Sequence, residues 1–310
     1  MANLKHLRNR ISSIKSTQKI TRAMKMVAAA KVKRSENATK ATRPFTKALA
    51  EMFSKLMAAH GEFGQTDTKY EESINNYPEL LKEREIKTVG LLVISSNKGL
   101  AGAYSTNIVR HTLQKIEEYK KQGISCRLFV AGMKGVASLK RKAKAYDFEI
   151  VKTYVGFPQE VTFSMAQLVA EDLADDYVEQ KIDKVEIVTT TFRNMMSYSV
   201  QDWQLLPVIH PEEQENEITH EIDPLMEFEP DIDTILQTIM PMYFANLIYQ
   251  AFREATASEL ASRMMAMSAA SNNAEEMINK LTVEYNKARQ YAITQELTEI
   301  VGGAGALKNK

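Results

Sequence analysis

Apolar residues recur at three-four spacing near the start of the chain: Leu4, Leu7, Ile11 and Ile14, continued by Ile20, Met24, Val27 and Ala28 on a stripe that has drifted round the surface. This spacing predicts one long helix over residues 3 to about 58. No glycine interrupts it before Gly61. Pro44, after Arg43, removes one backbone donor, and because TKALAEMFSKLMAA resumes the pattern a kink is expected rather than an end. GEFGQTDTKYEESINNYPEL then reads as a linker rich in turn formers.

From residue 87 the period changes. TVGLLVIS, ISCRLFVA and KVEIVTTTF are short β-branched runs separated by helical patterns at Ser105 to Lys121, Met133 to Lys142 and Phe163 to Gln180. Strand alternating with helix predicts βαβ units and a mostly parallel sheet with helices on its faces. SYSVQDWQLLPV adds a last strand, expected antiparallel at an edge.

The final helical pattern runs from about Ile235 to Val301. Within it Leu260, Met264, Met267, Ser271, Ala274, Ile278, Leu281, Tyr285, Ala288 and Ala292 alternate by four and three. A sustained 3.5-residue repeat keeps one seam facing a partner helix. More than sixty residues at 1.5 Å each make a rod of roughly 90 Å, far longer than packing on one domain requires. The simplest partner is the first helix. The division expected is therefore a coiled-coil helix (1–60), a linker (61–86), a Rossmann-like α/β domain (87–209), an acidic linker (210–233), and a second coiled-coil helix with its tip (234–310). The fold class is α/β with long helices, the α/β domain being inserted between the arms of an antiparallel coiled coil.

Charge sharpens this picture. The net charge is only +1, yet residues 1–35 hold ten Lys or Arg and no acid, while residues 211–233 hold ten acids and no Lys or Arg. Such asymmetry points to oppositely charged partners. The basic stretch has no aromatic residue before Phe45 to stack on bases, which argues against nucleic acid. No run of 18 apolar residues occurs and the first ten residues lack a signal-peptide core, so the chain is expected on the cytoplasmic side. The single cysteine, Cys126, lies in an apolar run and reads as a buried thiol.

Candidate chemistry is sparse. SSNKGLAGAYS, residues 95–105, follows the first strand, where phosphate loops lie in α/β folds. Lys98 precedes the first glycine, and Gly99 and Gly102 are three apart, so neither the P-loop nor the dinucleotide pattern is met. A tight strand-to-helix turn is the expected role. His6, His60, His111, His210 and His220 are scattered without a second ligand at metal spacing, and no serine sits in a nucleophile elbow. No cofactor, metal or active site of the chain's own is expected.

The ends are more specific. ITQELTEIVGGAGA, residues 293–306, resembles the C-terminal signature of the gamma subunit of F-type ATP synthases, with Ile293, Thr294, Glu296, Glu299, Gly303, Ala304 and Ala306 at its fixed positions. IKSTQKITRAMKMVAAAK, SNKGLAGAYS and VEYNKARQ resemble the same family, in the expected order along the chain. The cysteine-bearing insertion of chloroplast-type members is lacking, so the chain is similar to the bacterial form.

That resemblance implies a rotor shaft. The paired end helices would run up a ring of three alpha and three beta subunits, and the α/β domain would sit with the epsilon subunit on the membrane c-ring. Rotation would couple proton flow to ATP synthesis, or hydrolysis in reverse. It implies beta-subunit contacts at Met24, Lys25, Arg289, Gln290, Thr294 and Glu296, and a bearing surface at Val301, Gly302, Gly303, Ala304, Gly305, Ala306 and Leu307. Gln290 and Thr294, four apart, share one helix face; Arg289 and Glu296 share a neighbouring one. The implied location is the cytoplasmic side of the plasma membrane, peripheral and held through the c-ring. Two other readings stand beside it: a cytoplasmic coiled-coil scaffold with a nucleotide-sensing α/β domain, and an RNA-binding basic helix.

Overall fold

A computed structural model describes residues 2–63, 80, 84–157, 160–207, 229 and 232–308. The linker expected over 61–86 and the acidic linker over 210–233 lie largely outside the described residues. The elements in chain order are α1 (Ala2–Phe63), β1 (Thr88–Ile94), α2 (Tyr104–Lys121), β2 (Ser125–Ala131), α3 (Met133–Lys140), α4 (Ala143–Tyr146), β3 (Glu149–Tyr154), α5 (Phe163–Val178), β4 (Lys184–Asn194), β5 (Ser197–Leu206) and α6 (Ile232–Lys308). They form two compact units, one of Met1–Ala30 with Arg263–Lys310 and one of Lys31–Ser262.

In the larger unit the five strands lie in the order β3-β2-β1-β4-β5. β1 pairs in parallel with β2 and β4, β2 with β3, and β5 closes one edge antiparallel to β4, as its sequence predicts. Successive side chains of a strand point to opposite faces. Accordingly Val89, Leu91 and Val93 join one core with Ile108, Ile116, Leu128 and Leu139, whereas Leu92 and Ile94 join another with Val169, Leu173, Phe244 and Ile248. A strand covered on both faces needs an unbroken apolar run, which is why GLLVI lacks alternation.

β3 is absent from the sequence expectation. EIVKTY is an edge strand with one fully buried residue, Tyr154, so it carries no apolar run to announce it. Where β2 ends, Gly132 has φ +96, and a Cβ there would lie 2.2 Å from the Ser95 carbonyl oxygen, so only glycine permits this approach.

The long helices pack antiparallel within this unit. Val32 clusters with Leu260 and Ala261, Asn246 donates to the Thr46 hydroxyl at 3.1 Å, and Phe53 stacks on Tyr243 with ring centres 4.6 Å apart. Each advance along α1 thus meets a retreat along α6.

Candidate functional site

In the smaller unit α1 buries or half-buries Leu4, Leu7, Ile11, Ile14, Gln18, Thr21, Met24 and Ala28. The expected stripe is corrected here. Ile20 and Val27 are 61% and 57% exposed, and Gln18 and Thr21 take the covered positions instead. A strict seven-residue step from Leu4, Leu7, Ile11 and Ile14 arrives at 18 and 21, so geometry overrides side-chain polarity. Thr21 satisfies its hydroxyl by donating to the Gln18 carbonyl at 3.0 Å.

On α6 every expected seam residue from Leu260 to Ala292 is buried or half-buried, and from Asn272 to Tyr291 every residue off the seam is exposed. Ser271 and Ala274 are buried, small enough for a close helix partner. Cover ends at Ala292. Residues 293–301 are all exposed, among them the apolar Ile293, Leu297, Ile300 and Val301. Ile293, Leu297 and Ile300 are spaced by four and three, so they form one apolar stripe that this unit leaves uncovered.

The anticipated contact residues fall on this unit as follows. Met24 is half-buried on the covered stripe, whereas Lys25, Arg289, Gln290, Thr294 and Glu296 are exposed. The Thr294 hydroxyl donates to the Gln290 carbonyl at 3.0 Å, so these two are joined through the backbone of their common face. Val301 is exposed; for Gly302, Gly303, Ala304, Gly305, Ala306 and Leu307 only the backbone is described. That backbone is helical to Lys308, where the sequence suggests closure at the glycines. Extending an existing helix adds one hydrogen bond per residue fixed, and no proline intervenes. The basic residues Lys5, Arg8, Arg10, Lys15, Lys19, Arg22 and Lys25 are all exposed.

In the larger unit the loop from Ser95 to Ala103 lies at the C-terminal end of β1, where strand order reverses and α/β folds take their ligands. Its polar groups are engaged by the protein. Asn97 donates to the Phe157 carbonyl and accepts from the Met133 amide, each at 3.1 Å; the Ser95 hydroxyl donates to the Ala131 carbonyl, and that of Ser96 meets Ser105 at 2.6 Å. Leu100 and Gly102 have φ of 65° and 57°, the tight turn anticipated from the glycines. A cavity of about 40 Å³ remains, bordered by Ser95, Asn97, Tyr104, Phe252 and Glu259. This is far below the roughly 300 Å³ at which small-molecule pockets begin.

What fills the crevice is α6. The buried Tyr104 hydroxyl donates to the Ala255 carbonyl at 3.0 Å and lies 3.1 Å from the Thr190 hydroxyl. The Glu254 carboxylate, 2% exposed, accepts from the Phe192 amide at 2.8 Å, and the Ser262 hydroxyl donates to the Ala101 carbonyl at 2.7 Å. Sequence reasoning missed these residues. The signal available was Glu254, which shares a helix face with the small residues Ala251, Ala255 and Ser258.

A second polar cluster ties α2 to β5. Asp202 binds His111 at 2.8 Å and Lys115 at 2.6 Å, and Lys115 also reaches the buried Glu186 at 3.5 Å. Burial alone raises a carboxyl pKa, but the Lys115 and His111 hydrogen bonds outweigh it and hold Asp202 below its ordinary value. Burial likewise opposes the charge on Lys115, yet Asp202 and Glu186 together raise its pKa.

Among the described residues no three His, Cys, Asp or Glu side chains cluster as a metal would require, and no helix is long and apolar enough to cross a membrane.

Comparison with known proteins is consistent across the chain. A family model described as ATP synthase matches residues 3–307. The chain is 39% identical to the ATP synthase gamma chain of Nostoc punctiforme and 40% identical to that of Cyanothece sp., each over 99% of this chain and 100% of the relative. A chain from the central stalk and c-ring structure of Tetrahymena thermophila mitochondrial ATP synthase matches with a TM-score of 0.58 and 26% identity, over 81% of this chain and 99% of the other. A chain from Euglena gracilis mitochondrial ATP synthase, 19% identical, shares the fold with a TM-score of 0.68 over 99% of this chain and 95% of the other.

Proposed function

The chain belongs to the ATP synthase gamma chain family, and from that premise we propose how its two units serve a rotary machine. It is the central rotor shaft, coupling proton flow through a c-ring to ATP synthesis, or to hydrolysis in reverse. The observation that carries the reading of its partners is the uncovered end of α6. A single helix exposing Ile293, Leu297, Ile300 and Val301 in water wastes apolar burial unless a sleeve surrounds it.

We take that sleeve to be the ring of alpha and beta subunits. Val301 to Leu307 form its bearing surface, and Gln290, Thr294, Arg289 and Glu296 meet beta-subunit loops just below. Lys25 and the other exposed cations of α1 face acidic beta loops. Met24, half-buried beside Thr21 and Ala28, contacts beta only with its outer edge. The α/β domain stands with epsilon on the c-ring, and through that ring the chain is peripheral to the plasma membrane on its cytoplasmic side.

Chemically identical sites around a ring differ only if something asymmetric touches them. A two-helix shaft with unlike faces does so, and each orientation favours a different conformation at each beta site. A tenfold change in nucleotide affinity needs about 1.4 kcal/mol of differential contact. Because binding couplings are reciprocal, nucleotide turnover at the ring also drives the shaft.

The test is co-purification of the tagged full chain with alpha and beta expressed alongside. One gamma chain with three alpha and three beta subunits is expected. Recovery of the chain alone, or with nucleic acid released by salt, would overturn the rotor assignment of partners.

A further inference from the structure

We propose that Tyr104, Glu254 and Ser262 form a polar latch that fixes α6 to the α/β domain and carries torque between the shaft and its foot. The proposal rests on the rotor reading above and names residues that serve it without touching nucleotide.

The apolar contact between α6 and the sheet is built to bring backbones close. Ala251, Ala255, Ser258 and Ser262 are spaced by four, three and four, so they lie on one face. All but Ser262 are fully buried. The larger Phe244, Ile248 and Phe252 of α6 pack into the same core as Leu92 and Ile94 of the sheet, while the small side chains at 251, 255 and 258 leave room for polar groups to reach the helix. Dispersion and burial oppose separation but are non-directional, and hydrogen bonds add an orientation-dependent resistance to sliding and twisting. Directional bonds to α6 are present along this stretch.

They are supplied from three separate segments. Tyr104, at the start of α2, reaches the Ala255 carbonyl at 3.0 Å; the Phe192 amide, on β4, reaches Glu254 at 2.8 Å; and the Ala101 carbonyl, in the β1–α2 loop, receives Ser262 at 2.7 Å. Thr189 adds a longer approach to the Ala251 carbonyl at 3.4 Å. The tethers span residues 251–262, about 16 Å of helix. Twisting α6 about its axis, or sliding it by one residue, breaks all of them together.

Burial makes them hold. Tyr104 is 1% exposed and Glu254 2%, so no water stands ready to replace a lost partner. A buried polar group left unpaired costs more than the net gain of making its bond, and that asymmetry is what resists displacement. Burial also pushes the Tyr104 phenol well above its ordinary pKa, so it remains a donor. Ser258 provides an internal contrast: it is fully buried on the same face, and its hydroxyl has no hydrogen-bond partner among the described residues.

The test compares proton pumping with ATP hydrolysis in complexes rebuilt in sealed vesicles. With Tyr104→Phe, Glu254→Leu and Ser262→Ala combined, hydrolysis without a proton gradient should persist, while protons pumped per ATP fall severalfold as the gradient builds. Ser258→Ala should pump at the wild-type ratio. If the triple variant fails to assemble, Tyr104→Phe and Glu254→Leu are measured singly. Each should show a smaller deficit under load, and Glu254→Leu, which removes the acceptor, should exchange the Phe192 amide proton faster. A wild-type pumping ratio in the triple variant, or in both single variants, would overturn the latch. Failure of the wild-type chain itself to restore coupled pumping would instead overturn the rotor reading.

Discussion

Leu281 and Leu297 lie on one helix, and the same substitution should have opposite consequences at the two positions. Leu281 is 7% exposed on the seam of the smaller unit, and Leu297 is 57% exposed beyond its end. Truncating a buried leucine to alanine costs about 2 to 5 kcal/mol. Because Thr282, Val283 and Glu284 are exposed, the seam can partly collapse, which places Leu281→Ala near the lower figure. Leu297→Ala removes no comparable packing from the free chain and should change its stability by less than about 0.5 kcal/mol.

In the assembled complex the order reverses. Fully burying a leucine is worth about 1.5 to 3 kcal/mol, so covering the 57% of Leu297 still open contributes about 0.9 to 1.7 kcal/mol. That corresponds to roughly 4- to 16-fold in affinity for the ring. Thermal or urea unfolding of the free chain checks the first half, and titration of alpha and beta with labelled chain checks the second. Equal destabilisation of the free chain by both variants would mean that the end of α6 is packed rather than open. Unchanged ring affinity in Leu297→Ala would mean that no sleeve covers this face.

Gln290→Ala and Thr294→Val should slow ATP synthesis and hydrolysis severalfold with normal assembly, each lost contact being worth about 1 kcal/mol; wild-type rates in rebuilt complexes would remove this face from the contact set. Met24→Lys places a charge on a half-buried stripe and should lower the chain's unfolding midpoint as well as its pumping ratio, where a fully exposed Met24 would leave the midpoint unchanged. Lys98→Ala should leave isothermal titration of the free chain with ATP as flat as that of the wild type, because the 95–105 loop is closed on its own neighbours. The contribution of Asp202 to stability, its folded pKa lying below the unfolded value of about 3.9, is present above that value and lost as pH falls through the depressed one. Lys115, raised in the fold, loses its contribution only as pH climbs past about 10.4. Acid unfolding should therefore lose part of its pH dependence in Asp202→Asn.

Periodicity alone carried a good share of this protein. The seven-residue seam from Leu260 to Ala292, the central strands and the antiparallel edge strand were legible because burial on one side or on both leaves a spacing that sequence records directly. The C-terminal signature identified the family for a related reason: a helix end with glycines and alanines is unusual enough to be specific.

Other features were decided only by tertiary structure. Ile20 and Val27 read as seam residues by their chemistry, but the step of the helix carries Gln18 and Thr21 inward and leaves those apolar side chains open. β3 escaped because an edge strand needs only one buried residue. The latch escaped most completely: Tyr104 and Glu254 are separated by 150 positions, and nothing in local spacing says that a phenol after a loop will meet a helix carbonyl. Hydrogen bonds between distant segments depend on where the fold brings them, whereas a helix or strand face is set by the residues that compose it.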